Sequence, residues 1–163
     1  KLCEFFRASL DKNAKGSSNL QKELELLDVY LSIEKVRFGA RLQVDTDIAP
    51  NTLQAKVPSM LLQPLVENAV KYAIEPRKSL GNITISSKLI DTKLQILVQD
   101  DGDEEKMAME PGLGIGLKNT KERLSMMFGD DCLVELQPQT PSGTKVSITI
   151  PFVSSKEQSL EFR

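Results

Sequence analysis

Asn68, Lys71 and Tyr72 sit inside "LLQPLVENAVKYA", the most hydrophobic segment of this 163-residue chain. Leu61, Leu62, Leu65, Val66, Ala69, Val70 and Ala73 recur at helical spacing and predict a helix with a wide apolar face. The three polar groups fall three and four residues apart, which places them on one side of that helix. An amide beside a buried face costs about 1–3 kcal/mol unless it is paired. The polar stripe therefore needs something to meet.

Three further stretches carry residue types suited to a ligand. In "VQDDGD", Asp100 and Asp101 follow an apolar strand directly and Gly102 frees the backbone to turn. A carboxylate at a strand end accepts hydrogen bonds from amino groups such as the exocyclic amine of adenine, although such a triplet also reads as a plain turn. In "GLGIGLKNTKERL", Gly112, Gly114 and Gly116 alternate with Leu113, Ile115 and Leu117 and run into a helix. Glycines let backbone N–H groups approach a ligand, and a helix N-terminus favours anions, so this reads as a phosphate cradle. It is neither a P-loop nor a dinucleotide fingerprint, because no parallel βαβ unit frames it. The fourth stretch, "SGTKVSITIP", taken alone is only the start of a hairpin strand.

The elements that must position these residues follow from periodicity. Leu20, Leu24, Leu27 and Leu31 predict a long helix ending near Gly39, with Ser17, Ser18 and Asn19 as N-cap candidates. Its second apolar edge, Val29, Tyr30 and Ile33, suits packing or dimerisation. "ARLQVDTDI" reads as a strand, and Pro58 is expected to introduce the hydrophobic helix, with Pro64 kinking it or marking its first turn. Ile83, Ile85 and Leu89, then Leu94, Ile96 and Val98, alternate on either side of Asp91-Thr92 as a hairpin. "DDGDEEKMAMEPGLGIG" reads as a loop, followed by a helix that stops at Gly129. "CLVELQ" and "TKVSITIP" close the chain as two strands, and a polar tail after Phe152 is expected to fray. Five strands with one apolar face, covered by about three helices, give an α+β two-layer sandwich with a mixed sheet and an N-terminal helical segment.

Composition narrows the function classes. A chain this long hides roughly 70% of its unfolded surface and needs no staples. A formal net charge of −2, from 21 basic and 23 acidic residues, leaves no nucleic-acid footprint. Cys3 and Cys132 are too few for a disulfide scaffold or a zinc site, which fits a reducing compartment. No apolar run reaches the about 18 residues needed to span a bilayer. The chain contains no histidine, which removes Ser-His-Asp and Cys-His chemistry and any phosphohistidine on this chain. It opens inside an amphipathic pattern, "KLCEFFRASL", expected to be the end of a helix that begins upstream.

"VENAVKYA", "VQDDGD", "GLGIGLKN" and "SGTKVSITIP", in this order, resemble the N, G1 and G2 boxes and closing Gly-Thr of the Bergerat ATP-binding fold. That fold is shared by sensor histidine kinases, DNA gyrase, heat-shock chaperones and mismatch-repair ATPases. "YLSIEKVRFGARL", "VPSMLLQPLVENAVKYAI" and "GIGLKNTKERL" resemble, more narrowly, the LytS/YehU type of bacterial sensor histidine kinase.

The resemblance implies a role for each matching residue. Asn68 would hold Mg²⁺ against the ATP phosphates, with Lys71 nearby and Tyr72 offering an aromatic face to adenine. Asp100 would read the adenine amine, with Gly102 as its glycine partner and Thr144 in support. Gly112, Gly114 and Gly116 would lie at the phosphates, and Asp103 to Pro111 would form a short lid. Residues 1–39 would then be the end of a dimerisation and phosphotransfer region plus a linking helix, 40–152 the catalytic domain and 153–163 the tail.

The acceptor histidine would lie on a helix upstream, and a response regulator would receive the phosphoryl group. The full-length protein would be a homodimer anchored in the plasma or inner membrane, with this part in the cytoplasm. Two departures stand out. Glu104 occupies the place of the second G1 glycine, which stiffens the lid hinge. Pro64 stands where ATP-hydrolysing relatives carry a general-base glutamate, while Glu67 suits an ion pair with Lys71 better than a base. An anti-sigma-type serine kinase of the same fold and a non-catalytic ATP-binding module are the alternative readings.

Overall fold

The computed structural model describes residues 16–102 and 113–155. The expected helix over Leu2–Leu10, the lid with Glu104, Gly112 and the tail beyond Ser155 lie outside the described residues.

A short strand, β1 (Ser17–Asn19), leads into the long helix α1 (Leu20–Phe38). Asn19 is the N-cap: its side-chain oxygen accepts the Lys22 backbone N–H at 2.9 Å. Gly39, at φ 58°, ends the helix in the left-handed region that glycine tolerates. Leu20, Leu27, Leu31 and Phe38 are buried, so α1 shares one core with everything that follows.

β2 (Leu42–Ile48) comes next, then β3 (Lys56–Pro58), which pairs antiparallel with β1. Pro58 thus ends a strand instead of opening a helix, and α2 (Leu62–Ala69) starts four residues later. Pro64 falls in its first turn, where no backbone N–H is needed. The same helix continues over Val70–Ile74 as a π-helix, with Glu75 N–H donating to the Val70 carbonyl at 2.9 Å.

β4 (Gly81–Ile90) and β5 (Lys93–Asp100) form the expected hairpin. Asp91 takes the left-handed turn position at φ 54°, a conformation that aspartate tolerates better than most residues. α3 (Leu113–Phe128) ends at Gly129, and β6 (Leu133–Pro138) and β7 (Thr144–Pro151) finish the sheet.

The sheet is five-stranded and ordered β2-β4-β5-β7-β6. β2 and β4 run parallel because α2 carries the chain back across the sheet between them, and every other pairing is antiparallel. Ile83, Ile85, Leu94, Ile96, Val98, Ile148 and Ile150 line the buried face and pack against α1, α2 and α3. This is the α+β two-layer sandwich that the alternation predicts. Past Phe152 the described residues, as far as Ser155, are tied down: Lys56 N–H donates to the Val153 carbonyl at 2.7 Å and Ser155 N–H to the Gln54 carbonyl at 2.8 Å. No helix among the described residues is long and apolar enough to cross a membrane.

Candidate functional site

The described residues bring Asn68, Asp100 and Thr144 into one cleft between α2, α3 and the ends of β5 and β7. Its walls are apolar, formed by Leu65, Val98, Leu117 and Val146 among others. A few convergent polar groups between apolar walls suit a flat, partly apolar ligand with polar edges.

Asp100 is the last residue of β5 and only 7% exposed. Its Oδ1 accepts the Gly102 backbone N–H at 2.9 Å, and its Oδ2 accepts the Thr144 hydroxyl at 2.6 Å. These bonds fix the carboxylate's orientation and leave lone pairs for an amino donor. Gly102 packs so tightly that a Cβ there would come within 2.8 Å of the Ala73 Cβ. Gly143, one residue before Thr144, has φ +106°, and a side chain on it would collide with the Asp100 carbonyl. Both strand ends therefore meet only because two glycines let them.

Gln139, which the sequence reading passed over, completes this end. Its side-chain amide donates to the carbonyls of Asp100 (3.3 Å) and Thr144 (3.1 Å) and accepts from Gln99 at 3.1 Å. Asp101 also does more than turn the chain. Its Oδ1 accepts the Asn82 backbone N–H at 2.9 Å and pairs with Arg77, whose guanidinium also donates to the Asp101 carbonyl at 2.8 Å. A carboxylate followed by a second carboxylate at a strand end was the one hint of this in the sequence.

Asn68 faces the cleft from α2, half-buried, and its amide has no hydrogen-bond partner among the described residues. Gly116 of α3 passes so close that a Cβ there would sit 3.3 Å from Asn68 Nδ2. Gly114 and Gly116 lie inside α3, not in a loop before it. At Gly116 the glycine serves the close approach of two helices.

Lys71 is exposed, Tyr72 is 7% exposed, and neither is among the residues lining the cleft. From Val70 the helix continues as a π-helix, whose wider turn a uniform helical repeat does not anticipate. The Lys71 ammonium instead donates to the Tyr72 hydroxyl at 3.1 Å and lies 4.7 Å from the centre of its ring. Glu67 accepts from Gln63 at 2.8 Å.

A fixed carboxylate, Asp100, and an amide without a hydrogen-bond partner among the described residues, Asn68, thus share one apolar-walled cleft. Residues 55–154 match the family described as histidine kinase-, DNA gyrase B-, and HSP90-like ATPase, and residues 1–42 match the histidine kinase family. The chain belongs to the histidine kinase-, DNA gyrase B- and HSP90-like ATPase family.

Among curated relatives, the sensor protein LytS of Staphylococcus saprophyticus is 33% identical over 98% of this chain. The sensor histidine kinase YesM of Bacillus subtilis is 35% identical over 81%. The chain spans only 29% and 23% of their lengths, respectively. Among solved structures, the catalytic domain of histidine kinase ThkA, in a nucleotide-free form, superposes with a TM-score of 0.62. It is 18% identical, and the match covers 85% of this chain and 97% of that one. That likeness supports the fold: a histidine-kinase-type catalytic domain.

Proposed function

We propose that this chain is the ATP-binding catalytic part of a two-component sensor histidine kinase. It binds Mg-ATP in the cleft and passes the γ-phosphoryl group to a histidine outside these 163 residues, from which a response regulator takes it. The observation that carries this reading is that Asp100, held by Gly102 and Thr144, lines one apolar-walled cleft together with Asn68.

Adenine lies between the apolar walls with its amine on Asp100, which Gly102 and Thr144 hold in place. The triphosphate runs toward Asn68 and the N-terminus of α3, whose free N–H groups favour anions. Mg²⁺ supplies charge neutralisation at the phosphates. The fit to Asn68 is good, because its amide oxygen, without a hydrogen-bond partner among the described residues, is a hard ligand and this ion takes few protein oxygens when phosphates and waters fill the rest. The described residues hold no cluster of three or more carboxylate, thiol or imidazole groups that would bind a metal without the nucleotide. In this reading the exposed Lys71 ammonium meets phosphate charge from solvent.

Pro64, one turn before Asn68, leaves that position without a carboxylate to activate water. This favours transfer to a protein acceptor over hydrolysis, with catalysis by positioning and charge neutralisation. The acceptor helix and the response regulator are the partners this role requires, in a homodimeric protein held at a membrane by segments outside this chain.

Calorimetric titration with the β,γ-imido analogue of ATP, with and without Mg²⁺, tests the reading on wild type and Asp100→Asn. Wild-type binding that tightens with Mg²⁺ and collapses in the variant supports it. A folded wild type that binds nothing overturns it.

A further inference from the structure

One buried charged group has no place in the site so far described. Glu23, on the first turns of α1, is 3% exposed, and its carboxylate reaches across to the turn before α2. Oε1 accepts the Met60 backbone N–H at 3.0 Å, and Oε2 accepts those of Leu61 at 2.7 Å and Leu62 at 3.4 Å. These are the donors that a helix start leaves without partners, and α2 has no side-chain cap of its own. From the other side, the Arg123 guanidinium of α3 donates to the carbonyl of Met60 at 3.3 Å and to that of Ser59. Met60, gripped between them, has φ 61°, a conformation that a side chain of its kind avoids unless its surroundings impose it.

The position of this clasp matters more than its strength. Arg123 lies two helical turns beyond Gly116 on α3, and Met60 lies eight residues before Asn68 at the head of α2. The two helices thus meet at two places: Arg123 donates to the Met60 carbonyl, and Gly116 passes close beside Asn68. Helices transmit such constraints as rods, so the register set at the clasp sets the opening between Asn68 and the start of α3. α1 adds a third tie at the far end of α2, where Arg37 donates to Glu75 at 2.6 Å.

We propose that Glu23 and Arg123 are positioning residues for the triphosphate half of the site: by clamping the 59–62 turn from α1 and α3, they set the distance between Asn68 and the α3 N-terminus. The adenine half, built on β5 and β7, shares no hydrogen bond with this clasp. Loss of the clasp therefore weakens binding of the Mg-triphosphate and spares binding of the nucleoside.

This rests on the nucleotide reading above, and the test separates the two. Glu23→Gln keeps the size of the side chain but removes its charge and one acceptor. Arg123→Met removes the grip from the half-buried end, so one variant remains informative if the other fails to fold. Each is titrated with adenosine and with the imido analogue of ATP plus Mg²⁺.

The expected result is adenosine affinity within about twofold of wild type and a loss of about tenfold for the Mg-analogue, the size of an ordinary coupling between sites. A merely stabilising role lowers the melting temperature and leaves the ratio of the two affinities unchanged, and that result overturns the proposal. Wild type binding neither probe overturns the nucleotide reading and this inference together. Wild type binding both, with the ratio unchanged in the variants, overturns this inference alone.

Discussion

The two ends of the cleft are built in opposite ways. On the Asp100 side, Asp100 is locked by Gly102 and Thr144, Thr144 and Asp100 are bridged by Gln139, and the strands beneath are paired along their whole length. On the Asn68 side, Asn68 has no hydrogen-bond partner among the described residues, the helix carrying it loosens into a π-turn, and Gly116 of α3 passes close beside it. A base of fixed shape rewards a preorganised pocket, because nothing must be ordered when it binds. A triphosphate that must bind, align with an acceptor and leave rewards groups free to change partners. The difference teaches that one site can place rigidity and freedom a few residues apart by drawing one half from a sheet and the other from helix ends.

This contrast can be broken most severely at Asp100. Asp100→Asn replaces a charged acceptor with an amide that must turn its donor toward either Gly102 N–H or the adenine amine. A mismatched buried group costs about 1–3 kcal/mol or more when the lost partner was charged, so nucleotide and adenosine affinity should both fall about a hundredfold. Gly143→Ala comes next, because it forces a side chain into φ +106° and onto the Asp100 carbonyl. Strain of this kind costs about 1–3 kcal/mol. Thermal denaturation should show lower stability, and titration weaker adenosine binding.

Asn68→Ala probes the other end. Its amide has no partner to orphan among the described residues, so stability should hold within about 0.5 kcal/mol, as for ordinary surface changes. The Mg²⁺-dependent gain in affinity for the imido analogue should drop about tenfold while adenosine binding stays put. Equal losses for both ligands would erase the distinction between the two halves.

The smallest effect is a pH slope at the clasp. Burial pushes the Glu23 carboxyl above the ordinary glutamate range, against the pull of the Met60, Leu61 and Leu62 N–H groups and of Arg123. The folded chain then holds this proton more tightly than the unfolded one. Its contribution to stability is full below the unfolded glutamate pKa and is lost as pH rises through the folded value. Melting curves should show the wild type losing ground to Glu23→Gln as pH climbs through that acidic window, and gaining on it as pH falls.

Most of the sheet was legible because strand alternation is local. Ile83, Ile85, Leu94, Ile96, Ile148 and Ile150 announce one buried face whatever lies on top of it. α1 was legible for the same reason, down to Asn19 and Gly39 at its ends. Asp100, Gly102 and Thr144 were legible as a set only through the order of four motifs. No local rule joins a strand end to a Gly-Thr step 44 residues away.

What the sequence by itself determined was each element's type, its buried face and the residue kinds at the site, since these follow from spacing along one segment. Tertiary structure alone decided how segments meet. It set the pairing of β1 with β3, the π-helical continuation of α2, the helical start of the glycine stretch, and the capping of α2 by a glutamate from another helix. Each of these exchanges a local preference for a partner distant in sequence, and the free energy of such an exchange appears only when both partners are in place.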